Sequence, residues 1–309
     1  MPGIGKDQWL RYHFNGENSR EDNSTNLSIE FNNSPTKFVL FERACKNVAQ
    51  EIFELNKGKK IYVAMSGGCD SETVANSFYK EGITFIPIIH ELYYGGLETS
   101  YADTWWAKRW CKERGIEPYI RRITYKELLG ENISFAEKIK ARKLYSLQNV
   151  SLAEHAKDND GILVNGQAFI EYYPEPTLEY LKDILKDPAF DNNKSGWLLH
   201  EDDFYIDMND PGYHPYNFLS WNSEIVLSYI QSRDMKLNSE DNKFKIMKCN
   251  PRPKLAAPDI AWTFLADPQR ELKQKYGTSE VCFLGTHDEV INKLENKQPI
   301  YKKRYERYI

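Results

Sequence analysis

Apolar residues recur along the chain at two different spacings. Between Glu42 and Leu55 they recur at helical spacing and predict a helix that ends near Gly58. From Lys59 to Gln167, short apolar runs typical of buried strands alternate with stretches typical of amphipathic helices. Such alternation is typical of a parallel sheet whose strands are joined by helical crossovers. The pattern therefore predicts a doubly wound α/β domain.

The predicted elements of this domain begin and end at apolar runs bounded by glycine, proline or charged residues. The strands are predicted at 60–66, 83–92, 117–124 and 161–167. The helices are predicted at 71–82, 101–115 and 133–159, the last as one helix or two.

The flanking sequence is less regular. Residues 27–31 and 37–41 flank Asn-Asn-Ser-Pro-Thr and predict a hairpin ahead of the first helix. Residues 215–232 predict a turn followed by a helix, and the sequence beyond them predicts further helices and ends in a basic, tyrosine-rich tail. We therefore expect an N-terminal extension at 1–56, a central α/β domain at 57–230 and a mostly helical C-terminal segment at 231–309.

Composition limits the classes of function. The formal net charge of -4 gives no overall reason to expect binding to a polyanion, although a local basic groove is compatible with it. The absence of an apolar signal core or a membrane-length apolar run predicts a cytoplasmic protein. The cysteines are scattered, odd in number and never spaced as CxxC, which argues against a disulfide scaffold and favours a reducing compartment. They are Cys45, Cys69, Cys111, Cys249 and Cys282.

The hexapeptide Ser-Gly-Gly-Cys-Asp-Ser, at 66–71, joins the first predicted strand of the domain to its first helix. A strand that turns sharply into a helix presents backbone N–H groups and the positive end of the helix dipole, and phosphates bind there. Gly67 and Gly68 allow the backbone to approach an anion, and the hydroxyls of Ser66 and Ser71 add donors. Asp70 indicates either Mg²⁺ between the acid and a phosphate or a capping role. A tight structural turn explains the glycine pair alone.

This hexapeptide resembles the SGGxDS signature of the PP-loop ATP pyrophosphatase superfamily. That group includes asparagine synthetase, GMP synthetase, several tRNA-modifying enzymes and the phosphoadenosine phosphosulfate (PAPS) reductases. The resemblance implies an adenine nucleotide alpha-hydrolase-like fold, which is Rossmann-like. It also implies a ligase or transferase that binds ATP and Mg²⁺, adenylylates a carbonyl or carboxyl group and releases pyrophosphate.

The resemblance also assigns expected roles to individual residues. The loop would bind pyrophosphate or Mg²⁺, with Asp70 as the metal ligand, and Ile89 to Glu91 would lie near adenine. Arg142 is the preferred catalytic cation because related enzymes often have an arginine nearby, with Lys108, Arg109 and Lys143 as alternatives. The expected nucleotide-binding residues are Ser66, Gly67, Gly68, Cys69, Asp70, Ser71, His90, Gly166 and Gln167.

Two alternatives remain open. Residues 215–232 are similar to a segment of PAPS reductases, which predicts a sulfonucleotide-handling protein, but the cysteine motif usual at the reductase C-terminus is missing. Cys282 is expected to be structural because its neighbours are apolar. The second alternative is a non-catalytic nucleotide-binding module. The sequence does not identify the acceptor, which would be a small molecule or a macromolecule, and nucleic acid is not indicated.

Overall fold

The protein contains a central sheet with helices on both faces. In this computed structural model, the described residues are 10–14, 27–31, 39–139, 149–167, 170–173, 196–200, 216–232, 268, 270–271, 281–296 and 300–302. Within them, one path through the central sheet runs in the order β10-β7-β3-β4-β6, and all four of these neighbouring pairs are parallel. The short strand β5 pairs antiparallel with β4. This order confirms the predicted doubly wound α/β fold.

The strands and helices are numbered in chain order. The strands of the central sheet are β3 (Lys60–Ala64), β4 (Ile86–Tyr94), β5 (Leu97–Glu98), β6 (Tyr119–Thr124), β7 (Gly161–Asn165) and β10 (Tyr216–Asn217). The helices are α1 (Phe41–Leu55), α2 (Cys69–Lys80), α3 (Tyr101–Glu113), α4 (Tyr125–Ile139), α5 (Val150–Asp158), α6 (Ser223–Ser232) and α7 (His287–Glu295).

Strand β3 lies at the centre of the sheet and is buried on both faces. Ile61 and Val63 belong to a core that also contains residues of α1, α2, α3 and α6, whereas Tyr62 and Ala64 pack with α5 on the opposite face. Successive side chains of a strand point to opposite faces, so a central parallel strand needs apolar residues at consecutive positions. The continuous apolar run of β3 therefore reflects burial by helices on both sides.

Helix α1 is part of the main core although it precedes the sheet. Its helical spacing brings Ala44, Val48 and Ile52 onto one face, and all three are fully buried. This face packs against α2 and α6. Phe41 begins the helix and its ring lies 5.5 Å from that of Tyr229.

The predicted hairpin between residues 27–31 and 37–41 is wrong in its pairing. Strand β2 (Leu27–Phe31) pairs antiparallel with β1 (Leu10–Phe14) and with β12 (Ile300–Lys302). Phe41 instead begins α1, because burial of its ring in the core outweighs the local strand pattern.

Three boundaries also differ from the sequence prediction. Strand β4 continues to Tyr94 before turning back through β5. Helix α4 begins at Tyr125, directly after β6 and earlier than predicted, and α5 is a separate helix. After residue 231, the described residues include strand β11 (Val281–Gly285) as well as α7. Strand β11 forms a second sheet with β8 (Ile170–Tyr173) and β9 (Gly196–His200).

We searched the described part of the chain for membrane-spanning helices. None of its helices combines the length and apolar character that crossing a bilayer requires.

Candidate functional site

The candidate site lies where the chain reverses its direction of winding across the sheet. From β3, one neighbour is β4, reached through α2, and the other is β7, reached later in the chain. In doubly wound sheets, ligands bind outside the carboxyl ends of the strands at such a switch point. The loop at 66–68 follows β3 directly, so the structure places the predicted phosphate loop at this crevice.

Two glycines allow the walls of the site to close against the loop. Gly67 has a φ of 89°, and a Cβ at this position would lie 1.9 Å from the backbone oxygen of Asp103 in α3. A Cβ at Gly166, just after β7, would lie 2.8 Å from the backbone nitrogen of Ser71. Real Cβ atoms do not approach backbone so closely, so both positions require glycine. The loop is therefore enclosed by α3 on one side and by the end of β7 on the other.

Hydroxyl groups hold the loop in its shape. The backbone N–H of Gly68 donates to Ser66 Oγ at 3.2 Å, and the hydroxyls of Ser66 and Ser71 lie 3.3 Å apart. Ser71 Oγ donates to the Gly68 carbonyl at 3.0 Å. The expectation that Ser71 caps the helix is wrong, because α2 begins at Cys69 with Gly68 as its N-cap. Ser71 instead lies in the first turn and is buried.

Cys69 and Asp70 occupy the first turn of α2. Cys69 is buried and Asp70 is half-buried, so of the two the carboxylate is the more accessible group. An acidic side chain in the first turn is stabilised by the helix dipole without any ligand. Asp70 therefore combines a favourable electrostatic position with a carboxylate at the edge of the loop.

His90, the residue expected near adenine, lies on β4 among polar groups of the α4 and α5 face. Its Nε2 atom is 3.4 Å from Arg121 Nη1 and 3.4 Å from Ser151 Oγ. Glu131 binds the guanidinium of Arg121, with the closest oxygen at 2.9 Å. Burial, reinforced by the nearby Arg121 charge, lowers the pKa of His90 to about 3. The imidazole is therefore neutral at physiological pH and can serve only as a neutral hydrogen-bonding group.

Gln167 lies beyond β7, at the same edge of the sheet as the loop. Its backbone N–H donates to Asn165 Oδ1 at 3.1 Å, which fixes the chain as it leaves the strand. Asn165 is buried and stands in register with the fully buried Asn217 of β10. The two asparagines form a polar end to the sheet that the sequence analysis did not identify from Asn217.

The cations proposed from α3 are held by carboxylates. Lys108 Nζ lies 2.6 Å from the buried Glu91 and 3.5 Å from Glu98. Arg109 Nε lies 2.7 Å from Glu113. Neither contact involves the phosphate loop, so the structure gives no support to these two cations as phosphate ligands.

The remaining candidate cations, Arg142 and Lys143, lie outside the described residues. The role predicted for Arg142 therefore stays a prediction. Cys282 lies in β11, and its side chain is likewise outside the described part of the structure.

The tryptophans of α3 differ in their surroundings. Trp110 is buried and its Nε1 donates to Asn76 Oδ1 at 3.0 Å, as expected for a residue packing on the core. Trp106, for which the same packing was expected, is only partly buried and its ring contacts the exposed Trp105, with 4.6 Å between the ring centroids. The sequence did not predict the contact between the Asp103 backbone and Gly67, because it arises from tertiary packing without a local pattern.

Comparisons with known proteins give distant structural likenesses. No family model and no curated protein matches the sequence. A U34-tRNA thiolase, NcsA, from Methanococcus maripaludis with its 4Fe-4S cluster is similar over 83% of this chain and 78% of its own, at 16% identity and a TM-score of 0.38. A predicted subunit of tRNA methyltransferase from Methanocaldococcus jannaschii is similar over 80% and 100%, at 14% identity and a TM-score of 0.34.

An NH3-dependent NAD synthetase from Campylobacter jejuni is similar over 84% of this chain and 91% of its own, at 14% identity and a TM-score of 0.32. Scores this low transfer neither a residue role nor a substrate. The site is therefore interpreted from its own geometry.

Proposed function

We propose that the protein is an ATP-dependent enzyme of the PP-loop ATP pyrophosphatase type that activates a carbonyl or carboxyl group by adenylylation. The observation that carries this proposal is the closed glycine loop at the switch point of the sheet. Gly67 and Gly166 are each in contact with backbone where a side chain would not fit. A loop of this shape next to a helix N-terminus fits the terminal phosphates of ATP.

In this mechanism the loop binds the β- and γ-phosphates and leaves the α-phosphate facing the acceptor. An acceptor oxygen attacks the α-phosphorus, a new phosphorus–oxygen bond forms, and the bond to the bridging oxygen breaks with release of pyrophosphate. Backbone N–H groups of the loop and of the first turn of α2 stabilise the charge on the leaving group. Because these donors are fixed by the hydroxyls of Ser66 and Ser71, they need no reorganisation during the reaction.

Asp70 is the residue that would hold Mg²⁺ at this site. The described residues contain no cluster of three or more acidic, histidine or cysteine side chains that could enclose a metal by themselves. Mg²⁺ is commonly bound by one or two carboxylates together with substrate phosphates, so a single aspartate beside a phosphate loop fits it. The ion would neutralise charge on the pyrophosphate.

Sulfonucleotide reduction is less well supported. It requires a reactive thiolate, and the three cysteines whose side chains are described are all buried. Burial raises the pKa of both Cys45 and Cys111 to about 12, so these thiols stay protonated at neutral pH. The described thiols therefore favour the adenylylating enzyme.

The proposal is tested by exchange of labelled pyrophosphate into ATP. The full-length protein is incubated with MgATP, labelled pyrophosphate and a panel of carboxylate and amide-carbonyl compounds. We expect at least one acceptor to support exchange, with AMP rather than ADP as the nucleotide product. Asp70→Asn should abolish the exchange, and Asp158→Asn, an exposed aspartate on α5, should leave it unchanged.

Each contrary outcome identifies another function. Formation of ADP with every acceptor would contradict the proposed attack at the α-phosphorus. Tight binding of PAPS with no binding of ATP would favour the sulfonucleotide alternative. Binding of ATP without exchange in any condition would favour a non-catalytic nucleotide-binding module.

A further inference from the structure

Exposed aromatic residues are concentrated around the start of α3. Of the nine large hydrophobic side chains that are exposed among the described residues, four lie between residues 94 and 105. Two of these, Tyr101 and Trp105, occupy one side of α3, four positions apart. We call Tyr101, Trp105, Trp106 and Arg109 the aromatic patch. Side chains of this size are usually buried, so their clustering in solvent indicates an interaction surface.

Contacts within the aromatic patch hold its rings in place. Trp105 and Trp106 meet edge to face, and the Arg109 guanidinium lies 5.4 Å from the centroid of the first ring and 5.7 Å from that of the second. Glu113 binds Arg109 Nε at 2.7 Å and so fixes the guanidinium over the rings. The aromatic patch is therefore an ordered surface on a helix.

The aromatic patch adjoins the phosphate loop. The backbone oxygen of Asp103 lies against Gly67, and Trp105 and Trp106 follow Asp103 by two and three positions in the same helix. This spacing is less than one helical turn, a rise of about 5 Å. A long ligand that reaches the loop would pass the aromatic patch.

Charge indicates the kind of ligand. Residues 101–114 contain four basic side chains and two acidic ones, although the whole chain has a net charge of -4. The local excess of positive charge favours a polyanion, and a second copy of this helix would bring the same charges into opposition. Solvent-exposed aromatic rings beside cations are the combination that binds unpaired nucleotides, because bases stack on the rings and phosphates meet the cations.

We propose that the aromatic patch binds a single-stranded nucleic acid, with a base stacked on Trp105, and leads that strand toward the phosphate loop. The proposal rests on the proposed function only in making the strand a candidate acceptor. Binding itself does not depend on catalysis.

The test is fluorescence anisotropy with labelled 12-nucleotide oligo(U) and oligo(dT) and with a duplex of equal length, at a salt concentration of about 50 mM. Trp105→Ala should weaken binding of the single strands roughly five- to 150-fold, the effect of losing one stacked base. Phe53→Ala is the matched control, because this exposed ring lies on α1, away from the aromatic patch. The duplex should bind more weakly than the single strands, since its bases are already stacked.

The outcomes separate this inference from the proposed function. Asp70→Asn should lose ATP binding and retain oligonucleotide binding, and Trp105→Ala should show the reverse. Failure of the wild-type protein to bind either single strand would overturn the inference, as would equal affinities for wild type and Trp105→Ala. Equal binding of duplex and single strands would show that charge alone is responsible. Self-association that Trp105→Ala abolishes, without oligonucleotide binding, would assign the surface to a second copy.

Discussion

Gly67 is the residue at which the backbone depends most on the absence of a side chain. Its φ of 89° disfavours any other residue, and the Asp103 carbonyl occupies the place of a Cβ. We predict that Gly67→Ala lowers the free energy of unfolding by about 2–4 kcal/mol, the sum of backbone strain and overpacking. Chemical denaturation measures this change.

Gly82 provides the control for Gly67. It also has a positive φ, 65°, but no atom lies within 4 Å of the place its Cβ would take. Gly82→Ala should therefore cost only the backbone strain, about 1 kcal/mol. Equal losses for the two variants would contradict the close packing of α3 on the loop.

Glu91 shows what a residue assignment from sequence can miss. The strand position suggested proximity to adenine, whereas the structure places this buried carboxylate between Lys108 and Arg122, with a further hydrogen bond from Tyr93. Burial would raise its pKa, but the hydrogen bonds from Lys108 and Arg122 outweigh burial and lower the pKa of Glu91 below 4.5. Its partners come from α3 and β6, which no local pattern connects to β4.

The pH dependence of stability tests the Glu91 network. A carboxylate whose pKa is lower in the folded state stabilises the protein above its unfolded pKa, and this stability is lost as the pH falls through the folded value. We predict that wild type loses unfolding free energy as the pH falls below 4.5, and that Glu91→Gln loses less over the same range. Glu117→Gln, which removes an exposed carboxylate, should follow the wild-type curve. Parallel curves for wild type and Glu91→Gln would contradict this account.

At the scale of elements, the parallel α/β core could be predicted from sequence because both of its patterns are local. Strands such as β3 are continuous apolar runs and α2 begins at a recognisable glycine junction. Pairing in the N-terminal region could not be predicted in the same way, because β2 pairs with β12, about 270 residues away along the chain. The candidate loop was predictable for the reason that all its residues are contiguous, and its walls were not, because Asp103 and Gly166 reach it only through the fold.

Helix α1 is the element that extends the core beyond the predicted domain. Its fully buried Ile52 packs within the core shared by α2 and α6. Ile52→Ala should lower the unfolding free energy by about 2–5 kcal/mol, because it leaves a cavity in a close-packed interior. Leu55→Ala, an exposed position on the same helix, should cost far less.

At the scale of the whole molecule, the shared core predicts cooperative behaviour. Residues of α1, α2, α3 and α6 lie in one buried cluster, and Phe218 links β10 and α6 to Phe78 of α2, with 5.9 Å between ring centroids. Calorimetry should therefore show one transition for these elements, and Ile52→Ala should shift it without splitting it. Two transitions, with only one moved by Ile52→Ala, would show that α1 folds apart from the sheet.

The central claim is that the loop at 66–71 binds the phosphates of ATP together with Mg²⁺ through Asp70. Isothermal titration calorimetry of ATP, with and without Mg²⁺, tests it on wild type, Asp70→Asn and the control Asp158→Asn. The account predicts Mg²⁺-dependent binding by wild type and the control, and at least about a tenfold loss of affinity in Asp70→Asn, equivalent to 1.4 kcal/mol. Equal affinity for MgATP in wild type and Asp70→Asn, or no ATP binding by wild type, would contradict it.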